Sequence, residues 1–342
     1  MKKKVTILSI DGGGIRGIIP AVILEYIEQS LQKKTGNPNV TLADYFDMIA
    51  GTSTGGILTC FYLLPPDDEN GLHSKYLAKD AVGLYVENGK KIFKPKRKKP
   101  FSRLSNLFSE MYSADGLEKI LKEIMGDVYL SQSRKHCLVT SYDVVNRKAV
   151  LFTTPKSREN EGYRDYYMRD IARATSAAPT YFKLAETRSR KGMTDYLIDG
   201  GMFANDPTMC AMVEANKTVF EKCANPSISD LYIVSIGTGK EDKKYDYKKA
   251  QKWGIAKWML PVLNILMSSS SEVISYQMKQ LFSVAGCPKS YRRLEPELCN
   301  AKPEMDNVSA ENIKNLKDAG LHYISQNAEK LDKIVEDLIV NS

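Results

Sequence analysis

The sequence predicts an α/β protein of three layers, in which a mainly parallel sheet lies between helices and a mostly helical part follows at residues 240–342. Short apolar runs that end in glycine alternate with longer stretches of helical periodicity, as in sheets covered by helices. The 342 residues include 43 % hydrophobic and 26 % charged residues, which are ordinary values for a globular chain. No linker rich in serine or glycine divides the chain, so we expect a single unit over residues 1–342.

The predicted strands are short apolar runs bounded by turn residues. They cover residues 5–10, 45–50, 137–142, 149–154, 196–198 and 230–236. The predicted helices have apolar residues at helical spacing, and they cover residues 20–32, 54–64 and 113–125. Pro20 suits the first position of the first helix, and Ser113 is a candidate N-cap of the third. Most of the last hundred residues also have helical periodicity.

The sequence has no feature of export, membrane insertion or metal binding. The first apolar run, residues 5–10, is too short for the core of an export signal. No apolar run reaches the ~18 residues that a membrane span needs. We therefore expect a location in the cytoplasm or at the periphery of a membrane. The six cysteines form no Cys-x-x-Cys pair and no zinc spacing, so we expect reduced thiols.

Positive charge is concentrated in one segment of a chain whose formal net charge is +8. Its basic residues are Lys90, Lys91, Lys94, Lys96, Arg97, Lys98, Lys99 and Arg103, and no acid lies among them. Pro95 and Pro100 predict a loop here rather than a helix. Such a loop favours an anionic partner, either nucleic acid or an acidic membrane surface. A solvated loop that only aids solubility is the alternative.

Three consecutive glycines, Gly12 to Gly14, follow the first predicted strand and precede the first predicted helix. Their backbone N–H groups lie at a helix N-terminus, where negative charge is favoured. Two uses fit this arrangement. One is an oxyanion hole, and the other is a phosphate cradle, since the glycines match G-x-G-x-x-G. The nucleotide alternative lacks the acid expected about 20 residues further on and lacks a P-loop lysine.

A G-x-S-x-G motif runs from Gly51 to Gly55, with Ser53 at its centre. It lies between the predicted strand at 45–50 and the predicted helix at 54–64, which is the arrangement of a nucleophile elbow. Small flanking residues allow the strained turn that exposes the serine, and the helix N-terminus favours a serine alkoxide. We therefore predict a nucleophilic serine. A tight turn with a capping serine is the alternative.

A nucleophilic serine needs a base, and the chain has only three histidines, His73, His136 and His322. None of them lies in a glycine-flanked turn at the end of a predicted strand. Asp199 does, because it follows the strand at 196–198 and precedes two glycines. Strand ends are where α/β enzymes collect active-site groups, and a buried carboxylate within hydrogen-bond reach can accept the serine proton. An ordinary Asp-Gly turn is the alternative.

The motifs at 11–17, 51–55 and 199–201 together resemble those of the patatin-like phospholipase family. That family pairs Asp-Gly-Gly-Gly-Ile-Arg-Gly with a Gly-Thr-Ser-Thr-Gly elbow and a later Asp-Gly-Gly or Asp-Gly-Ala. The resemblance covers roughly residues 5–207. It implies a patatin-like fold and a Ser–Asp dyad that uses no histidine, no cofactor and no metal, calcium included.

The resemblance also implies roles for individual residues. Ser53 would be the nucleophile and Asp199 the base. The oxyanion hole would consist of the backbone N–H groups of Gly12, Gly13 and Gly14. Arg16 would be a phosphate contact.

The resemblance implies a lipid acyl hydrolase of the phospholipase A or lysophospholipase type, which cleaves fatty acyl esters through an acyl-enzyme. The apolar stretch at 253–284 would line an acyl channel or touch the lipid interface, although such stretches are also typical of a core. The segment from Lys90 to Arg103 would contact an anionic membrane or act as a lid, and nucleic acid is not expected. Two alternatives keep the same fold: a non-catalytic storage or lipid-binding protein, and a signalling protein that a ligand activates.

Overall fold

The computed structural model describes residues 2–68, 71–95, 110–159, 162–240 and 245–342. Within these ranges the strands form one sheet. They are β1 (Val5–Ile10), β2 (Met48–Gly51), β3 (His136–Asp143), β4 (Lys148–Thr153), β5 (Ala185–Arg188), β6 (Thr194–Asp199), β7 (Leu231–Ile236) and β8 (Tyr291–Leu294). The order across the sheet is β5-β6-β3-β2-β1-β7-β8, and β4 pairs with β3.

Helices connect these strands and dominate the C-terminal part. In the described ranges they are α1 (Ile18–Thr35), α2 (Thr54–Tyr62), α3 (Ala78–Ile92), α4 (Asp115–Met125), α5 (Thr154–Arg158), α6 (Met168–Thr175), α7 (Gly201–Ala204), α8 (Thr208–Ala215), α9 (Tyr247–Ala250), α10 (Ile255–Val284), α11 (Ala310–Gln326) and α12 (Ala328–Asn341). The helical C-terminal part also supplies β8, which pairs with β7 and so belongs to the sheet.

The central strands β1 and β7 are buried along their whole length. Continuous aliphatic runs of this kind are typical of parallel strands that are covered on both faces. Leu8 and Ile10 of β1 contact one apolar core together with residues of α1 and α2. Val5 and Ile7, which point the other way, contact a second core that contains Met278 of α10. Helices therefore cover both faces, and the predicted α/β class with a helical C-terminal part is confirmed.

The sheet is more mixed than the sequence predicted. Parallel pairs join β1 to β2, β1 to β7, β2 to β3 and β7 to β8. The pairs β3–β4, β3–β6 and β5–β6 are antiparallel. The pairs β3–β4 and β5–β6 are hairpins, which need only short turns, whereas parallel neighbours need a crossover connection. The parallel part therefore forms the centre of the sheet, and the antiparallel part forms one side.

Two strands were missed by the sequence analysis because they contain few apolar residues. β5 reads AETR and β8 reads YRRL. Two helix starts were also placed differently: α1 begins at Ile18, so Pro20 is its third residue rather than its first, and α4 begins at Asp115 with Ala114 as its N-cap residue. The Ser113 hydroxyl instead accepts a hydrogen bond from the Asp115 amide at 3.3 Å.

The start of the basic segment is helical, which corrects the prediction of a loop from Lys90 onward. α3 extends to Ile92 and includes Lys90 and Lys91. The two lysines lie in the last turn, where positive charge is favoured by the helix dipole. The predicted loop from residue 96 to residue 103 lies outside the described residues.

The sheet register brings the end of β6 beside the end of β2. Gly51, the last residue of β2, pairs with Val139 of β3. Asp199, the last residue of β6, pairs with Ser141, two residues further along β3. Because β3 extends beyond β2 and β6 runs antiparallel to it, β6 ends close to the turn that follows β2. The turn after β1 lies at the same edge, since β1 is parallel to β2.

Candidate active site

Ser53 lies in the turn between β2 and α2 in a strained backbone conformation. Its φ is 54° and its ψ is −121°, in a region that costs a non-glycine residue about 1–3 kcal/mol. A Cβ atom on Gly51 or Gly55 would lie 2.1 Å from a backbone carbonyl oxygen, so these positions require glycine. The Ser53 side chain makes no capping hydrogen bond to α2, and capping therefore does not explain this serine.

Hydrogen bonds to distant parts of the chain hold this turn in place. The Ser53 amide donates to the Thr175 hydroxyl oxygen at 2.8 Å, at the end of α6. The Thr52 hydroxyl donates to the Ala204 carbonyl at 2.6 Å, shortly after Asp199. The turn is thus tied to the segment that contains the predicted base. Nothing in the sequence around Thr175 indicated this role.

Asp199 is buried, with only 2 % of its surface exposed. Its Oδ1 accepts a hydrogen bond from the Gly201 amide at 2.7 Å, whereas its buried Oδ2 has no hydrogen-bond partner among the described residues. Burial raises the pKa of Asp199 to about 7, and interactions with the Ser53 hydroxyl and the Gly201 amide oppose that rise. A carboxyl group with a pKa near 7 can exchange a proton at neutral pH.

The glycine loop after β1 is held by hydrogen bonds that define which of its amides remain available. The Gly12 amide donates to the Asn205 carbonyl at 3.1 Å, and the Thr238 hydroxyl donates to the Gly12 carbonyl at 2.7 Å. The amides of Gly13 and Gly14 donate to no acceptor in the described part of the chain. Of the three glycines predicted to form an oxyanion hole, Gly12 therefore uses its N–H group elsewhere.

Ser53, Asp199 and Gly14 line one pocket, so the three predicted motifs meet in space. The rest of its wall is largely apolar and includes Ile57, Tyr85, Ile92, Phe93, Leu117, Phe182, Met267 and Met305. Met267 belongs to α10, within the apolar stretch predicted to line an acyl channel. A largely apolar wall favours the burial of a hydrocarbon chain.

A polar cavity of about 240 Å³ lies next to this apolar pocket, and the two share Met267 and Met305. Arg16 lines the polar cavity rather than the apolar pocket. Its Nε donates to the Gly13 carbonyl at 3.4 Å. The predicted phosphate contact is therefore separated from Ser53 by the glycine loop to which it is bonded.

Comparisons with known proteins show the family. The model of the family described as patatin-like phospholipase matches residues 8–212. The chain belongs to the patatin-like phospholipase family. Patatin-like protein 2 of Oryza sativa subsp. indica is 34 % identical over 353 residues, covering 96 % of this chain and 86 % of its relative.

Two further relatives of this patatin-like chain match over most of their length. Patatin-like protein 1 of Arabidopsis thaliana is 35 % identical over 340 residues, covering 92 % of this chain and 80 % of the relative. Patatin group M-2 of Solanum tuberosum is 34 % identical over 334 residues, covering 94 % and 83 % respectively. The predicted resemblance is confirmed, and membership of this family supports lipid acyl hydrolase activity in general.

A buried arginine that lines the polar cavity of this patatin-like chain was missed by the sequence analysis. Arg293 of β8 donates to both carboxylate oxygens of Asp11, at 2.7 and 2.8 Å. It also lies 3.4 Å from Asp206. Burial raises the pKa of Asp11 to about 7, while Arg293 opposes that rise. The ion pair thus joins the residue before the glycine loop to a segment that follows Asp199.

The histidines lie away from both cavities. His73 bonds through Nδ1 to Asp44 at 2.8 Å. His136 packs edge-on against Phe220 with 4.8 Å between ring centroids, and burial lowers its pKa. His322 is exposed on α11. None of the three is therefore within reach of Ser53.

The described residues also bear on metal and membrane binding. They contain no group of three or more His, Cys, Asp or Glu side chains that could hold a metal ion. None of the helices that the structure describes has both the length and the apolar character needed to span a membrane.

Proposed function

We propose that this protein is a lipid acyl hydrolase of the phospholipase A or lysophospholipase type, with Ser53 as nucleophile and Asp199 as base. One observation carries the proposal: a strained, non-capping serine shares an apolar pocket with a buried carboxyl group whose pKa is raised to about 7. Strain of this kind persists where the surrounding structure enforces it, often at active sites. Family membership supports the same class of reaction.

The proposed reaction has two steps. In the first, Asp199 accepts the Ser53 proton, the serine oxygen attacks the ester carbonyl, and the alcohol or lysolipid leaves with a proton from Asp199. In the second, water attacks the acyl-enzyme with Asp199 again as base, and the fatty acid is released. In both steps, the amides of Gly13 and Gly14 would donate to the oxyanion, since the Gly12 amide already has an acceptor.

The two adjoining cavities suggest how an acyl lipid would bind. The apolar pocket would hold the fatty acyl chain, and the polar cavity would hold the headgroup, where Arg16 and Lys240 could meet a phosphate. Because neither step of the reaction uses a Lewis acid, we expect hydrolysis to continue when calcium is chelated.

We also propose that the basic segment from Lys90 to Arg103 contacts an anionic membrane. Lys90 and Lys91 lie in the last turn of α3, and Ile92, the last residue of that helix, lines the apolar pocket. Near an anionic lipid surface each basic residue adds about 1 kcal/mol of binding. Replacement of Lys96, Arg97, Lys98 and Lys99 by Gln should weaken binding to anionic vesicles at low salt, and unchanged binding would reject this contact.

A fluorophosphonate probe, which reacts with activated serines, tests the proposed nucleophile directly. We expect the intact mass of the wild type to increase by one adduct that peptide mapping locates on Ser53. Ser53→Ala should take up no adduct, and Asp199→Asn should react at least a hundredfold more slowly because the base is lost. An adduct at another serine, or unchanged labelling of Asp199→Asn, would reject the dyad.

A further inference from the structure

An exposed apolar stripe runs along α10. Its residues are Trp258, Met259, Val262, Ile265, Leu266, Val273 and Tyr276, each between 38 % and 65 % exposed. A helix at the surface of a globular protein normally exposes polar residues on its outer face. Exposed Ser269 and Glu272 interrupt the stripe before Val273. Its part from Trp258 to Leu266 is an exposed apolar patch of the kind typical of an interaction site.

The spacing of these residues shows that the stripe is one face of the helix. Positions 258, 262, 265, 273 and 276 follow the 3.6-residue period. The opposite face contains Met267, Met278 and Phe282, which are buried against the rest of the protein. The helix therefore has apolar residues on both faces, and no described part of the chain covers those on the outer one.

Basic and aromatic residues lie at the N-terminal end of this stripe. Four exposed lysines, Lys248, Lys249, Lys252 and Lys257, occur between residues 245 and 257, where Asp246 is the only acid. Trp253 packs edge-on against Trp258, with 5.1 Å between ring centroids. Tryptophan and tyrosine favour the interface between water and lipid, and lysine is attracted to anionic headgroups.

The same helix forms part of the wall of both cavities at the candidate active site. Met267, on its inner face, lines the apolar pocket and the polar cavity, and Ile265 of the stripe lines the polar cavity. A membrane in contact with the outer face would therefore lie beside the cavities that the substrate must enter.

We infer that the outer face of α10, with the lysines that precede it, docks onto the surface of an anionic lipid bilayer. This inference rests on the proposed function, because it concerns how the same site reaches its lipid substrate. A second copy of this chain fits less well, because two such surfaces would bring like-charged lysine clusters together. The apolar residues enter the headgroup region, and the lysines contact the anionic headgroups.

Vesicle cosedimentation tests this surface independently of hydrolysis. The assay uses Ser53→Ala protein, which leaves the lipid intact. The vesicles are phosphatidylcholine with about 30 mol % phosphatidylglycerol, which gives them an anionic surface. The triple variant Trp258→Ser/Val262→Ser/Leu266→Ser removes part of the stripe. The matched control, Val213→Ser/Leu321→Ser/Val340→Ser, replaces three exposed apolar side chains outside α10.

We expect the stripe variant to bind vesicles at least tenfold more weakly than its parent and the control to bind like the parent. When the same three substitutions are made in protein that retains Ser53, hydrolysis of a water-soluble short-chain ester should be unchanged. Equal binding by all three proteins would overturn the inference, as would a dimer of the parent that the stripe variant dissociates. If the wild type itself did not hydrolyse the ester, that result would reject the proposed function instead.

A separate observation concerns an unpartnered acceptor beside the proposed dyad. Asn205 is 6 % exposed, and its Oδ1 is buried without a hydrogen-bond partner in the described part of the chain. Its Nδ2 donates to the Ser271 hydroxyl at 3.1 Å. A Cβ atom on Gly201 would lie 3.1 Å from Asp199 Oδ1 and 3.3 Å from Asn205 Oδ1. The Asp199 carboxylate and the Asn205 amide oxygen therefore border the same small space.

We infer that Asn205 positions the water that hydrolyses the acyl-enzyme. The water would donate one hydrogen to Asp199 and the other to Asn205 Oδ1, which leaves its lone pair for the ester carbonyl carbon. As the new C–O bond forms, Asp199 takes one proton. The bond from the carbonyl carbon to Ser53 Oγ then breaks, and Ser53 recovers the proton as the fatty acid leaves.

Stopped-flow kinetics with p-nitrophenyl butyrate separate the two steps. We expect Asn205→Ala to keep the rate of the initial burst within about threefold and to slow the steady state at least tenfold, so that acyl-enzyme accumulates in the intact mass. Asn205→Gln, which keeps an amide oxygen and adds no charge beside Asp199, should restore part of the steady-state rate. A merely structural role would slow both steps together, and that result, or an unchanged steady state, would overturn the inference.

Discussion

Arg293 binds both carboxylate oxygens of Asp11, with N–O distances of 2.7 and 2.8 Å, although the two residues are 282 positions apart. The pair is buried in the wall of the polar cavity, and Asp206 lies 3.4 Å from the same guanidinium. The single positive charge of Arg293 therefore faces two buried carboxyl groups. The pair links the end of β1, which Asp11 follows, to β8, which contains Arg293.

Removing Arg293 should destabilise the protein strongly. We expect Arg293→Met to lower the free energy of unfolding by about 3–5 kcal/mol, because it leaves buried carboxyl groups without their counter-charge. Chemical denaturation at pH 7 measures this change. Arg292→Met is the matched control, since Arg292 is partly exposed and pairs with Asp337 at 3.4 Å; it should cost less than about 1 kcal/mol. Equal losses in the two variants would contradict this account.

The pH dependence of hydrolysis should follow Asp199. Because the pKa of Asp199 is raised to about 7 and only the ionised carboxylate can accept a proton, kcat/KM should rise with pH and level off above about 8. At pH 5, about one hundredth of the plateau should remain, as expected for a single group with this pKa. An uncharged short-chain ester avoids titration of the substrate. A profile that is flat from pH 5 to pH 8 would argue against Asp199 as the base.

Asp199 should also reduce stability at neutral and alkaline pH. Its pKa in the folded protein, about 7, is above its ordinary value of 3.8, so the folded state binds the proton more tightly than the unfolded state does. The free energy of unfolding is therefore highest, as far as Asp199 is concerned, below pH 4, and it falls as pH rises to 7. Asp199→Asn should therefore raise the free energy of unfolding by about 4 kcal/mol at pH 8 and change it little at pH 4. An equal effect at both pH values would contradict the raised pKa.

A protein without histidine should remain active. His73, His136 and His322 line neither cavity, so the triple variant with Asn at all three positions should keep kcat/KM within about threefold, since no proton transfer is removed. Circular dichroism confirms that the variant is folded. A loss of more than a hundredfold in a folded variant would show that a histidine takes part in the reaction.

The turns that contain Ser53 and Asp199 could be predicted because each depends on residues that are adjacent in the sequence. A strand, a glycine-flanked serine and a helix together specify the turn at Ser53, and the two glycines after Asp199 mark a second turn. Each depends on steric limits within a few residues, as the 2.1 Å approach at Gly51 and Gly55 illustrates.

The remaining parts depend on contacts between distant residues, which no local pattern reveals. Arg293 lies in a strand of mostly polar sequence, so its burial and its pairing with Asp11 follow only from the position of β8 in the sheet. Thr175 and Asn205 act through single hydrogen bonds to the turns around Ser53 and Gly12. The antiparallel course of β6 was missed for the same reason, because sheet order is set by tertiary packing.

Fatty acid release from mixed phospholipid vesicles, measured with calcium chelated, tests the central claim most directly. The comparison is between the wild type, Ser53→Ala and Asp199→Asn, each at the same concentration and with its fold confirmed. We expect the wild type to release fatty acid and both variants to lose at least a thousandfold in rate, since loss of a nucleophile or its base removes the covalent step. Continued release by a folded Ser53→Ala protein would contradict the proposed mechanism.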